Sequence, residues 1–280
     1  MKKMFKVFAL ALLIIFAFTA CPDNGGGGHT HNWSVWATTT SANCTAAGLQ
    51  TRTCSESDCP TPTQTQPIAI LGHNWNWGSY SSGTGARSCQ RGGCSVTAGI
   101  GDTGQGGGVI FYASSFTFYQ TAIDTTGVTR YYLEAAPRNI AGTHMWAASN
   151  GLIPGLSQDN TEETDWAIGR GLKNTLIINA ETYSTPAANA TRTGSHGNGT
   201  RTDWFLPSRH ELNELYIRRA VVNTSSVVLG GSVLETGMGI FWSSSQNHSL
   251  SARARNFNDG DLYGTSKNDD RFNVRAVRAF

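Results

Sequence analysis

The order of apolar and polar positions divides the chain into unlike stretches. MKKMFKVFALALLIIFAFTA has a basic tip and then an apolar run from Val7 to Ala20. Residues 29–97 scatter Trp and Cys among small polar residues without a sustained period. From Ala98 onward, short apolar runs alternate with turn-rich polar stretches, and the runs predict the elements. Val109–Tyr112 and Thr129–Pro137 (TRYYLEAAP) read as strands. A helix is expected from about Gly169 to Ala180, with Leu172, Leu176 and Ile177 on one face. In DWFLPSRHELNELYI, Pro207 cannot continue a helix from its left, Ser208 is a natural N-cap, and Glu211 completes a capping box. Leu212, Leu215 and Tyr216 then supply an apolar stripe. GIFWSSSQ reads as a strand, residues 247–271 as an exposed loop, and FNVRAVRAF as a buried strand. Strands with two helices in this order imply an α+β domain over 98–280.

Composition sharpens this picture. Charged residues make up only 14% of the 280, and Gly numbers 32, which suits a turn-rich β scaffold rather than a helical bundle. The formal charge is +2, but Lys2, Lys3 and Lys6 lie in the first twenty residues, and without them it is −1. A nucleic-acid partner therefore has no electrostatic basis.

The apolar run is too short for a membrane span and reads as a signal peptide over residues 1–20. Phe18-Thr19-Ala20-Cys21 looks like a bacterial lipobox, with Phe18 where Leu is usual, so Cys21 is the expected lipidation site. PDNGGGG behind it is a flexible tether, within 21–28. These features predict an exported, lipid-anchored protein of the cell envelope, facing the exterior from an outer membrane.

Two small repeats occupy 29–97. HNWSVWATTTSANCTAAGLQTRTCSESDC and HNWNWGSYSSGTGARSCQRGGC both open His-Asn-Trp, at His31 and His73, and close Arg-(Thr/Ser)-Cys-x4-Cys. Modules this small need a staple. In an exported protein the default is a disulfide, Cys54 with Cys59 and Cys89 with Cys94, which leaves Cys44 over. The competing arrangement is a metal site in which Cys44, Cys54 and Cys59 join His29 or His31; the second repeat has no counterpart of Cys44. The region is expected to be a stalk without an active site.

The string GIGDTGQGGGVIFYAS offers a Gly-rich loop, but a phosphate fingerprint needs its glycines between a strand and a helix. Here they precede a strand, so a turn is expected.

GDTGQGGGVIFY, YYLEAAP, GRGLKNT, DWFLPSRHELNELY, FWSSS and VRAVRAF, in that order, resemble a family of bacterial exported domains with the C-type lectin-like fold of the formylglycine-generating-enzyme type. With the leader, the chain is most similar to the variable surface lipoproteins of treponemal diversity-generating retroelements, spirochete proteins; the phage major tropism determinant is a more distant relative. The resemblance covers roughly 98–280. It implies that the first strand, Val109–Tyr112, pairs with the last, Asn273–Phe280, and that a loop-built surface binds a partner.

Residues 95–280 contain no cysteine, which removes the enzyme relatives' oxidation chemistry. Glu-Pro-Asn, Gln-Pro-Asp and Trp-Asn-Asp, the calcium-lectin motifs, are absent too. Asp259, Asp261, Asp269 and Asp270 have the chemistry for a hard cation but read as turn residues, so neither a metal nor another cofactor is expected. In the resembled family, adenine-directed change of AAC codons cannot yield Lys, Gln, Glu, Met or Trp. Between Asn247 and Asn273 only Lys267 belongs to that set.

The expected contact positions are His248, Leu250, Arg253, Arg255, Asp259, Asp261, Leu262, Tyr263, Gly264, Ser266, Asp269, Asp270 and Arg271, with Phe257, Phe272, Val274 and Val277 as scaffold. The partner is a protein or glycan. An enzyme would have to draw on His196, His210, His248, Asp203 and Glu211, and no nucleophile-base spacing links them. A structural or adhesion lipoprotein of the envelope is the alternative.

Overall fold

The computed structural model describes residues 30–57, 59, 61–77, 87–157, 163–197 and 200–280. The expected signal peptide, Cys21, the tether and His29 lie outside them. Among the described residues no helix is long and apolar enough to cross a membrane.

The chain forms two compact units: one holds the residues up to Asn74 with Arg91–Cys94, and the other holds Trp75–Gln90 with Ser95–Phe280. The division passes within the second repeat, not at its end. Within the first unit, β1 (Ala37–Thr40), β2 (Gly48–Thr53) and β3 (Thr63–Ile68) form an antiparallel sheet in that order. Arg52 explains the Arg that precedes the cysteine. Its guanidinium lies over the Trp33 and Trp36 rings and donates to Gln64 Oε1 at 2.9 and 2.7 Å. The described cysteines are thiols, and neither Cys54–Cys59 nor Cys89–Cys94 is bridged, contrary to the expected disulfides. In each repeat the second thiol sits instead beside a histidine ring: Cys59 Sγ is 3.1 Å from His31 Nδ1, and Cys94 Sγ is 3.4 Å from His73 Nδ1.

The second unit mixes antiparallel sheets with a few short helices. β4 (Val109–Phe118), β5 (Val128–Ala135) and β9 (Val277–Ala279) form one sheet, and β6 (Ile240–His248), β7 (Ser251–Asn256) and β8 (Leu262–Ser266) form another. α1 (Gly171–Asn179), α2 (Pro186–Arg192), α3 (Arg209–Ile217) and α4 (Arg219–Val228) pack around them, with a 3-10 turn at Glu163–Trp166. The capping box forms: Ser208 Oγ accepts from Glu211 N, and Glu211 Oε2 accepts from Ser208 N at 2.7 Å.

The expected pairing of first strand with last is not what forms. β5 lies between them, with Leu133, Glu134 and Ala135 opposite Ala279, Arg278 and Val277. Electrostatics set this register. Glu134 is fully buried and accepts from Gly106 N at 2.7 Å, Gly108 N at 2.8 Å and Arg278 Nη1 at 2.8 Å. Arg278 also reaches Asp203 Oδ1 at 2.5 Å and Gln105 Oε1 at 2.8 Å. The glycine run is a carboxylate cradle: a Cβ at Gly104, Gly106 or Gly108 would come within 3.0 Å of the Glu134 side chain. Burial pushes the Glu134 carboxyl up, and Arg278 and the two amides pull it back.

One apolar core joins Val109, Phe111, Leu133 and Val277 to Phe205, Leu212, Leu215, Val222 and Phe257. A second joins Trp146, Ile178, Ala187 and Leu206 to Trp242, Ala252, Ala254, Phe272 and Val274. The four expected scaffold residues are thus all core.

Replacing Arg278 by Ala is expected to cost about 3–5 kcal/mol, because it strands a buried carboxylate. Asp203→Ala, which removes a half-exposed partner, is expected to cost about 1 kcal/mol or less. Urea unfolding of the two variants beside the parent checks the difference.

Candidate ligand-binding surface

The stretch expected to be a loop is mostly sheet. β7 and β8 continue the meander from β6, so 251–256 and 262–266 are strands joined by a short turn. The cause is the alternation Ser-Ala-Arg-Ala-Arg-Asn. Ala252 and Ala254 pass into the core beneath Trp242, while Arg253 and Arg255 stand on the opposite face.

Register sorts the expected contacts. Gly264 lies opposite Arg253, Leu262 opposite Arg255, and Ser266 opposite Ser251, so these share the arginine face. Tyr263 lies opposite Ala254 and packs against the second core, which removes it from that face. His248, Leu250, Asp259, Asp261, Leu262, Gly264, Ser266, Asp270 and Arg271 are exposed, and Arg253, Arg255, Tyr263 and Asp269 are half-buried.

Several acidic positions serve the backbone. Asp259 accepts from Asn256 Nδ2 at 2.7 Å and from Asp261 N at 2.9 Å. Asp269 accepts from Arg271 Nε and Nη2 at 2.9 and 2.6 Å, and Arg271 holds its carboxyl below the usual range. Asp259, Asp261, Asp269 and Asp270 do not bring three ligand atoms within 4.8 Å of one another. Lys267, singled out within residues 247–273 by the sequence, is buried. Its Nζ donates to Gly151 O at 2.5 Å and Gln246 Oε1 at 2.7 Å, so it anchors the end of β8 rather than facing outward.

The arginine face has walls that lie outside the expected contact positions. The Arg253 guanidinium lies 5.2 Å from the Trp166 ring centre, and Arg209, at the start of α3, lies 4.5 Å from it. Arg255 lies 4.4 Å from the Tyr216 ring, and Arg219 lies 4.2 Å from the same ring. Four guanidinium groups thus meet two aromatic rings. Arg219 has Glu235 at 3.5 Å; Arg209 and Arg255 have no carboxylate within ion-pair distance among the described residues. Arg255 Nε is buried with no acceptor there. Burial, reinforced by neighbouring Arg209, draws Arg253 down; burial does the same to Arg255, with Tyr216 opposing and Arg209 and Arg219 adding to it. The result is a half-desolvated patch of like charge with aromatic floors. The Arg-x-Arg alternation was its one sequence signal.

Among the candidate catalytic groups, Glu211, Asp203 and His196 make contacts within the fold. Glu211 takes N–H bonds from Gly169 at 2.8 Å and Gly171 at 3.4 Å in addition to its cap. Its burial pushes the carboxyl up to about 7, against the pull of the Ser208, Gly169 and Gly171 amides. Asp203 is held by Arg278, and His196 Nε2 lies 3.1 Å from Thr191 O. His248 is exposed, with Nδ1 accepting from Leu250 N at 3.2 Å. His210 is half-buried on the first turn of α3.

No protein-family model and no curated protein matches the chain.

Arg253→Ala with Arg255→Ala is expected to change stability by about 1 kcal/mol or less, since relief of repulsion offsets the lost ring contacts. Tyr263→Ala is expected to cost about 1–3 kcal/mol, because its ring fills a core edge. Thermal unfolding of the two variants checks the assignment of faces.

Proposed function

We propose that the chain is an exported, lipid-anchored binding protein whose C-terminal unit has a C-type lectin-like fold of the formylglycine-generating-enzyme type. Its recognition surface is the region 247–271, centred on the outward face of β7 and β8, and its partner is a protein or glycan that presents anionic groups. The observation that carries this reading is the set of Arg209, Arg219, Arg253 and Arg255 around Trp166 and Tyr216. Aromatic rings give contact area at little entropic cost, and guanidinium groups pair bidentately with carboxylate or sulfate.

The placement of the exposed positions supports the diversified form of the proposal. Leu262, Gly264 and Ser266 alternate with inward residues on β8, so their side chains can change without disturbing the core. Lys267, the residue such diversification could not write, holds a structural place. A reverse transcriptase gene beside a near-copy template rich in AAC codons is the genomic arrangement this reading expects. No catalytic role is assigned.

Two measurements test the proposal. Host-surface proteins and sulfated or sialylated glycans are arrayed against the parent and the Arg253→Ala, Arg255→Ala variant. Binding that weakens as salt rises, and that the variant loses at unchanged melting temperature, is expected. A variant that keeps every partner of the parent places recognition elsewhere. Separately, Cys21→Ala is expected to lose fatty-acid labelling and to leave the membrane fraction; unchanged partitioning would defeat the anchor.

A further inference from the structure

We infer that the stalk repeats are zinc-binding modules, one ion per repeat, and that Cys44 of the first repeat is a ligand of the second site. In the first unit His31, Cys54 and Cys59 place their ligand atoms within 4.8 Å of one another, and so do Cys44, His73 and Cys94. Two donors on a tetrahedral zinc stand roughly 3.6–3.8 Å apart, given Zn–S near 2.3 Å and Zn–N near 2.0–2.1 Å. The His31–Cys59 and His73–Cys94 separations, 3.1 and 3.4 Å, need to open by only about half an ångström or less to take the ion.

The two repeats reach this arrangement by the same backbone route. The residue two after each histidine bridges to the first cysteine of the pair, Trp33 to Cys54 and Trp75 to Cys89. Cys59 N donates to Glu56 O at 3.3 Å, and Cys94 N donates to Arg91 O at 3.1 Å, so the second cysteine of each repeat closes the same kind of turn. A spacing of up to four between cysteines is what such turns offer zinc.

The leftover cysteine fits as well. Asn43, beside Cys44, accepts from Leu71 N at 3.0 Å through its carbonyl, which draws the segment carrying Cys44 toward the one carrying His73. A thiol with no counterpart in the second repeat is therefore what the sharing requires. The first site has three ligands among the described residues, and water or a further donor completes it. Each bound ion displaces the thiol protons to solvent, and two thiolates balance its charge.

The test uses the full chain, produced with zinc in the medium and purified without chelator. Metal content is read by mass spectrometry, and thiols are counted after denaturation. Two zinc ions per chain with the stalk thiols reduced is the expected result; Cys59→Ser and Cys94→Ser should each retain one. Replacing zinc by Co2+ should give thiolate charge-transfer absorption and tetrahedral d–d bands in the parent, a readout that needs no variant. Cys59→His, which keeps a ligand, should retain two ions where Cys59→Ser retains one. Absence of metal with Cys54–Cys59 and Cys89–Cys94 bridged in a non-reducing peptide map would overturn the inference. So would zinc that survives both serine substitutions.

Discussion

The Glu134–Arg278 ion pair is the constraint on which the C-terminal unit rests. Two opposite charges buried together are stable only if their remaining hydrogen-bonding capacity is met. Here the amides of Gly106 and Gly108, the Gln105 side chain and Asp203 meet it. The pair and its partners come from four parts of the chain: the lead into β4, the strand β5, the segment before α3, and β9. The glycines are glycines because a carboxylate occupies the space a side chain would need. One satisfied pair thus sets strand order, register and the path of a loop together.

What that scaffold positions is a sheet with two unlike faces. The inward face of β7 is alanine because Trp242 and Tyr263 already fill the space beside it. The outward face carries arginines because α3 and the turn before α1 bring Tyr216 and Trp166 against it. Packing demand ends at the plane of the sheet, and beyond that plane the chemistry is set by what approaches from solvent.

Much of this was legible in the sequence where local chemistry decides. The capping box at Ser208 and Glu211, the strand through YYLEA and the strand through FWSSS depend on neighbours in sequence, and all formed. β7 is hidden in the sequence because Ser, Ala, Arg and Asn have little strand preference; its conformation comes from pairing on both sides. α4 is equally hidden, since Val, Asn, Thr and Ser are weak helix formers. Packing of Val222 and the Asn223 bond to Leu234 N, at 2.8 Å, hold it instead. The insertion of β5 between β4 and β9 was hidden because a charge pair 144 residues apart leaves no local trace. Cysteine spacing made a disulfide the default over a metal, because the histidines that stand beside Cys59 and Cys94 are brought there by backbone bridges that spacing does not encode.

The same 144-residue separation has a kinetic consequence. Closing a loop of that length costs about 2 kcal/mol more chain entropy than closing a ten-residue hairpin, and it must be met before the buried pair returns anything. The β6–β8 meander and α3, built from near neighbours, can form early, while the β5–β9 junction waits for a rare long-range encounter. Folding of the unit is then limited by its topology, on a scale of milliseconds to seconds, and substitutions on the outward face of β7 and β8 leave that slow step untouched.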